Sequence, residues 1–244
     1  MDVTEYEDFP LFLDHSRPYI ISAFGKKGKG KSAFNREIYR SWPGDKLAID
    51  VNGHAEPGDD AERITEPLKA WPRPDGLPGT GERRKRRNLH YVADPGSPTY
   101  RDDLDRAVGM ALWPKDHQVL LWAGEAGELM QRGNAGPQLM RLLQQNRHYR
   151  VSALFDAPRP VWLDPQVLLQ SNLVAVFELP NPADRKRIAE TVGIDAKAFN
   201  EICFRTWDKG DYHFVLIDTD ARRGKQLWSC APLPISDTAG QPAA

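Results

Sequence analysis

The chain has 244 residues, enough for one α/β domain with a full core or for two small ones. Its formal charge of −1 excludes a general polycation field, so any nucleic-acid contact must come from local patches. Two isolated cysteines, Cys203 and Cys230, and scattered histidines with no i,i+4 pair argue against a disulfide framework or a zinc site.

The acidic start, Asp2 to Asp8, is unlike the basic head of a signal peptide, and no apolar run approaches the roughly 20 residues that cross a bilayer. A cytoplasmic location is the expectation. The apolar stretch Tyr19 to Phe24 predicts a strand, and Ala33 to Trp42 a helix. Between them, Gly25-Lys26-Lys27-Gly28-Lys29-Gly30-Lys31-Ser32 satisfies the phosphate-binding pattern G-x-x-x-x-G-K-[ST] at every fixed position. At average composition such a match arises in roughly one chain of this length in a hundred, and the strand and helix flanks lower that further. In this motif glycines let backbone N–H groups curl around phosphate oxygens, and the helix N-terminus adds a favourable dipole. Lys31 is placed to reach the outer phosphates of ATP and the Ser32 hydroxyl to bind Mg²⁺.

Pro43-Gly44 breaks the first helix, and Leu47 to Val51 predicts a second strand. Residues 72–87 carry three prolines, three glycines and the run Arg83-Arg84-Lys85-Arg86-Arg87, and so predict a mobile basic loop. Leu89 to Asp94 is the third expected strand, and Thr99 with Asp102 looks like a capping box that opens a helix through Leu104, Val108, Ala111 and Leu112. A fourth strand, His117 to Ala123, leads into the turn Gly124-Glu125. Pro137 begins a helix with Leu139, Leu142 and Leu143 inward; 151–155 and 173–177 add two strands; Asn181-Pro182 starts another helix that Gly193 ends. Segments 212–218 and 226–230 form a closing hairpin around 221–224. Alternating strands and helices predict an α/β fold with a mainly parallel sheet. One domain over 1–244 is expected, with its core at about 17–235 and a flexible tail at 236–244.

The most convincing acid for nucleotide chemistry is Glu125, after Val119-Leu120-Leu121-Trp122-Ala123 and beyond an intervening strand. A solvated turn glutamate is the plain alternative. Asp50 and Asp94 also end strands at the ligand edge of such a sheet; Asp50 is a candidate Mg²⁺ partner, and capping the following turn is an equal reading for either.

With those residues in view, the chain resembles the FtsK–HerA superfamily of DNA-pumping P-loop ATPases, and within it the tectivirus-type genome-packaging ATPases more than the Zot-like branch. Three segments carry the resemblance: the P-loop; Gly124-Glu125-Ala126-Gly127-Glu128-Leu129; and the stretch from Asn146-Arg147-His148-Tyr149-Arg150 through Ala157-Pro158-Arg159-Pro160 to Leu169-Gln170-Ser171-Asn172. The resemblance implies a RecA-like fold with helices on both faces of the sheet. It also implies ATP hydrolysis with Glu125 aligning the attacking water, and Arg147 as an arginine finger acting on a neighbouring subunit. Arg150 and Arg159 compete for that last role, and local pairing with carbonyls is its ordinary alternative. Further implications are a homo-oligomeric ring, expected to be a hexamer, with double-stranded DNA in its pore, contact with capsid vertex or portal proteins, and association with virions. Arg83, Arg84, Lys85, Arg86 and Arg87 are then candidate DNA phosphate contacts. Two departures stand out. Gly124 replaces the family's Walker B aspartate, and Pro158 its sensor glutamine, with Asp156 close by. They keep a second reading open, a nucleotide-binding switch or scaffold with weak turnover. A third reading, independent of them, is a small-molecule phosphotransferase, for which the chain has no obvious lid of arginines.

Overall fold

The computed structural model describes residues 4–6, 13–53, 55–69, 86–113, 118–130, 135–220 and 226–232. Within them a ten-stranded sheet is built from β1 (Thr4–Tyr6), β2 (Ile20–Phe24), β3 (Asp45–Asp50), β4 (Glu62–Ile64), β5 (Asn88–Val92), β6 (Val119–Ala123), β7 (Val151–Ala157), β8 (Leu173–Val176), β9 (Phe214–Asp218) and β10 (Gln226–Cys230). Its order is β1-β10-β9-β8-β2-β7-β6-β3-β5-β4. Only β9 runs against its neighbours, β8 and β10; every other pairing is parallel. The expected 72–87 loop lies outside the described residues apart from Arg86 and Arg87, as do the 221–224 turn and the 236–244 tail.

Six helices accompany the described strands: α1 (Lys31–Ser41), α2 (Tyr100–Ala111), α3 (Pro137–Tyr149), α4 (Pro165–Gln170), α5 (Pro182–Val192) and α6 (Ala196–Trp207). The strands are apolar on both faces because both are covered, as parallel sheets require. Ile21, Ala48, Leu120, Trp122 and Leu154 pack with Phe34, Ile38 and Tyr39 of α1 on one face. The alternate residues Ile20, Leu47, Val119, Leu121 and Ala153 pack on the other face with Leu104 of α2, Leu142 of α3, Val167 of α4, Ile188 of α5 and Phe199 of α6. The RecA-like P-loop arrangement is thus present: β7 is inserted between the P-loop strand β2 and the acid-bearing strand β6.

The helix ends show which sequence signals operate. Asn181 accepts a hydrogen bond from the Ala183 N–H at 2.9 Å, and Gly193 ends α5 in the left-handed conformation, as expected. The Thr99–Asp102 capping box does not form. The Thr99 hydroxyl instead donates to Asp103 Oδ2 at 2.7 Å, and no side chain caps the first turn of α2. At α3 the cap is tertiary. Asp105 on α2 accepts from the Gln138 N–H at 3.0 Å and the Leu139 N–H at 3.2 Å, and Gly136 leaves room for that carboxylate, because a Cβ there would stand 2.1 Å from Asp105 Oδ1. Replacing Asp105 with Ala is therefore expected to cost about 1 kcal/mol in urea unfolding. Gly136→Ala should cost more in the wild type than in the Asp105→Ala background, where the obstructing carboxylate is gone.

Candidate nucleotide-binding site

The P-loop leaves the end of β2 over an aromatic floor. Phe177 stacks on Phe214 with centroids 4.9 Å apart, and Phe34 meets both rings edge-on. The fit is close enough to demand glycine. A Cβ at Gly25 would lie 2.7 Å from Phe177 Cβ, and one at Gly30, whose φ is +104°, would lie 3.1 Å from the same ring and 3.4 Å from Tyr212. The segment that carries Phe177 is itself braced. Buried Arg185 donates from Nη1 to the carbonyls of Leu179 (2.6 Å) and Pro180 (2.7 Å) and lies over the Phe204 ring. That segment in turn holds the loop: the Lys26 N–H donates to the Glu178 carbonyl at 2.8 Å, and Lys29 Nζ pairs with Glu178 at 2.6 Å and Asp211 at 3.0 Å. Those two carboxylates, Glu178 foremost, raise the affinity of the Lys29 ammonium for its proton. Lys26, Lys27 and Gly28 remain exposed.

Lys31 is 8% exposed and its Nζ donates to the Lys26 carbonyl at 3.0 Å. Burial lowers its pKa, and the carboxylates of Asp156 and Glu125 pull it back. Ser32, next to Lys31, opens onto a cleft of about 230 Å³ that Asp50, Asn52, Gly124, Glu125 and Asp156 also line, among others. Glu125 is exposed to it, with a left-handed backbone (φ 53°) that is uncommon outside glycine and turns the residue out from the end of β6. Its carboxylate accepts from Asn52 Nδ2, so the turn after β3 orients the acid after β6. Sequence reasoning did not single out Asn52, since its partner is 73 positions away. Asp156, at the end of β7, is 4% exposed and accepts from Asn35 of α1 at 3.0 Å. Burial raises its pKa, against the pull of Lys31 and Asn35.

Of the remaining candidate groups, Asp50 is at the cleft, and Arg147, Arg150 and Arg159 are not among the residues that line it. Asp50 lines the cleft, but its oxygens accept from the N–H groups of Asn52 (3.2 Å) and Ala55 (3.0 Å), and His90 Nε2 lies 3.1 Å away. It is the organiser of the following turn, and Asp94 is another, accepting from the Gly96 N–H at 2.9 Å. Arg147 is not brought to the cleft. It lies at the end of α3, where the parallel strands begin, 72% exposed in its side chain and 3.5 Å from Asp220. The length of β2, about 16 Å at about 3.3 Å per residue, separates that edge from the P-loop. Arg150 is the left-handed cap of α3, and Arg159, which does sit at the P-loop edge, pairs with buried Asp184 at 2.8 Å. Arg86 and Arg87 lead into β5 at the same edge as Arg147, Arg87 reaching Glu62 at 3.5 Å; Arg83, Arg84 and Lys85 lie outside the described residues.

No family model and no curated protein matches the chain. Solved structures do. The genome-packaging NTPase B204 of Sulfolobus turreted icosahedral virus 2, in complex with AMP, aligns at a TM-score of 0.66 and 17% identity over 89% of this chain and 98% of that one. The chain has the fold of a packaging NTPase. The same viral protein in complex with ATP-gammaS aligns at 0.64 and 15% identity over 91% and 100%, and B204, the DNA-packaging ATPase from Sulfolobus turreted icosahedral virus, at 0.61 and 16% over 89% and 100%. Among the described residues no helix is long and apolar enough to cross a membrane.

Because the loop's path depends on its contact with Phe177, Gly25→Ala should weaken binding of a fluorescent ATP analogue by about tenfold or more, about 1.4 kcal/mol. Unchanged affinity would mean that the P-loop does not need this seat.

Proposed function

We infer that this chain is an ATP-hydrolysing motor subunit of the FtsK–HerA type, packaging double-stranded DNA into a viral capsid or moving the DNA of a mobile element. The observation that carries this reading is the cleft itself: Ser32, the neighbour of Lys31 in the loop, lines it together with Glu125 and Asp156, and the glutamate is held by Asn52. The fold shared with viral packaging NTPases supports it. In the proposed cycle, P-loop N–H groups and Lys31 hold the β- and γ-phosphates of ATP, and Glu125 aligns water for attack on the γ-phosphorus. The donors on the cleft walls, the Ser32 hydroxyl and carboxylates, are the hard oxygens that Mg²⁺ prefers. When bound there, the ion neutralises charge on the phosphate oxygens.

Arg147, distant from its own cleft, fits a finger supplied in trans, and this requires the self-associated ring, a hexamer in this reading. The basic run Arg83–Arg87 is assigned to sequence-independent DNA phosphate contact. Its described members, Arg86 and Arg87, lie away from the cleft, so DNA and ATP would not compete. Capsid vertex or portal proteins are the proposed docking partners, and the virion or the cytoplasm the proposed location.

The switch reading rests on Gly124 and Pro158, yet Glu125 opens onto the cleft and Asp156 lies within it. The two readings separate in an ATPase assay titrated with duplex DNA. The motor reading predicts stimulated turnover that Lys31→Ala abolishes and Glu125→Gln lowers by about 10²-fold or more, with ATP binding retained in the second variant. Turnover undiminished by either change would overturn the site assignment, and stoichiometric binding without turnover would favour the switch.

A further inference from the structure

The end of β6 lacks a carboxylate at Gly124, and the neighbouring strand supplies one. Ala123 of β6 pairs in register with Phe155 of β7, so Gly124 and Asp156 stand side by side and face the same side of the sheet. A Cβ built at Gly124 would lie 3.8 Å from Asp156 Oδ1. An aspartate side chain there would project toward space that the Asp156 carboxylate already holds. Asp156 also pairs in register with Ala23 of β2, which places this acid one strand nearer the P-loop than residue 124. Asn35, one turn into α1 from Lys31 and Ser32, donates to Asp156 Oδ1 at 3.0 Å and fixes the carboxylate's orientation. Among the described residues its charge has no ion-pair partner; the Lys31 ammonium acts on it without a contact. A buried carboxylate in that condition is costly unless a cation joins it.

We propose that Asp156 is the metal-facing acid of this nucleotide site, relocated from the end of β6 to the end of β7, with Asn35 as its positioning residue. Mg²⁺ keeps several waters and takes one or two protein oxygens besides the phosphates, so Ser32 and Asp156 suffice for it. Glu125 is then free to act on water alone. Loss of the acid at 124 relocates the metal function without abolishing it. The proposal rests on the reading of the cleft as an ATP site.

The test measures binding, not turnover. Affinity for a fluorescent ATP analogue is determined in EDTA and in Mg²⁺, and Mn²⁺ affinity of the nucleotide complex by electron paramagnetic resonance. The set comprises the wild type, Asp156→Asn and the double variant Asp156→Asn/Gly124→Asp. The expected result is that Asp156→Asn keeps its EDTA affinity and loses Mn²⁺ affinity by about tenfold or more, the range seen when a group that orients a metal's ligands is removed. The double variant, which returns the acid to β6, should regain most of that loss. Unchanged Mn²⁺ affinity in Asp156→Asn, with nucleotide still bound, would overturn the proposal alone. Absence of nucleotide binding in the wild type would overturn the ATP reading beneath it. If Asp156→Asn does not fold, Asp156→Glu gives the same decision: a moved carboxylate must change the Mn²⁺ affinity, and an unchanged value contradicts the assignment.

Discussion

A buried ammonium facing two carboxylates is the constraint around which this molecule is arranged. Lys31 is out of water, and an uncompensated charge in that position costs several kcal/mol. Asp156 and Glu125 offset the cost from the ends of two different strands. With two carboxylates against one ammonium the cleft already has an excess of negative charge, so in the proposed reading a phosphate enters it together with a counter-cation. With β7 between β2 and β6, one carboxylate lies next to the loop and the other lies one strand further out, with space between them for a reacting group.

The scaffold holds this geometry through contacts that have nothing to do with phosphate. Phe34, Phe177 and Phe214 form the floor, Gly25 and Gly30 let the loop settle onto it, and Arg185 ties down the strand exit that carries Phe177. The contacts of Phe34, Gly25 and Gly30 join the N-terminal 50 residues to Phe177 and Phe214 in the C-terminal third. The P-loop is a short motif in sequence, but its shape is the product of long-range packing, and the same holds for Glu125 through Asn52.

Much of the fold was legible because its signals are local. The P-loop with its flanks, the apolar runs of β2, β3, β5, β6, β7 and β8, the Asn181-Pro182 start and the Gly193 stop all depend on neighbours in sequence. Elements whose cause is tertiary escaped. β4 is a three-residue edge strand with the sequence Glu-Arg-Ile and shows no apolar run, and β1 lies in the acidic start yet pairs with β10 from the other end of the chain. The α6 stripe, Phe199, Ile202, Cys203 and Thr206, and the Asp164 cap of α4 are also local signals, carried by helical spacing and a side-chain cap. At the site, residue types point to a phosphate-binding loop. They could not show that Asp50 is committed to a turn and to His90, that Arg147 lies on the far edge, or that Asp156 and Gly124 are lateral neighbours. Those facts belong to the register of strands many residues apart.

The most direct test of the account is a crystal structure of the chain with a non-hydrolysable ATP analogue. The account predicts the triphosphate wrapped by residues 25–32, Lys31 swung from the Lys26 carbonyl onto the phosphates, and the γ-phosphate lying between Ser32 and Glu125. An analogue bound elsewhere, or a loop that stays closed on itself with Glu125 remote from the terminal phosphate, would contradict it.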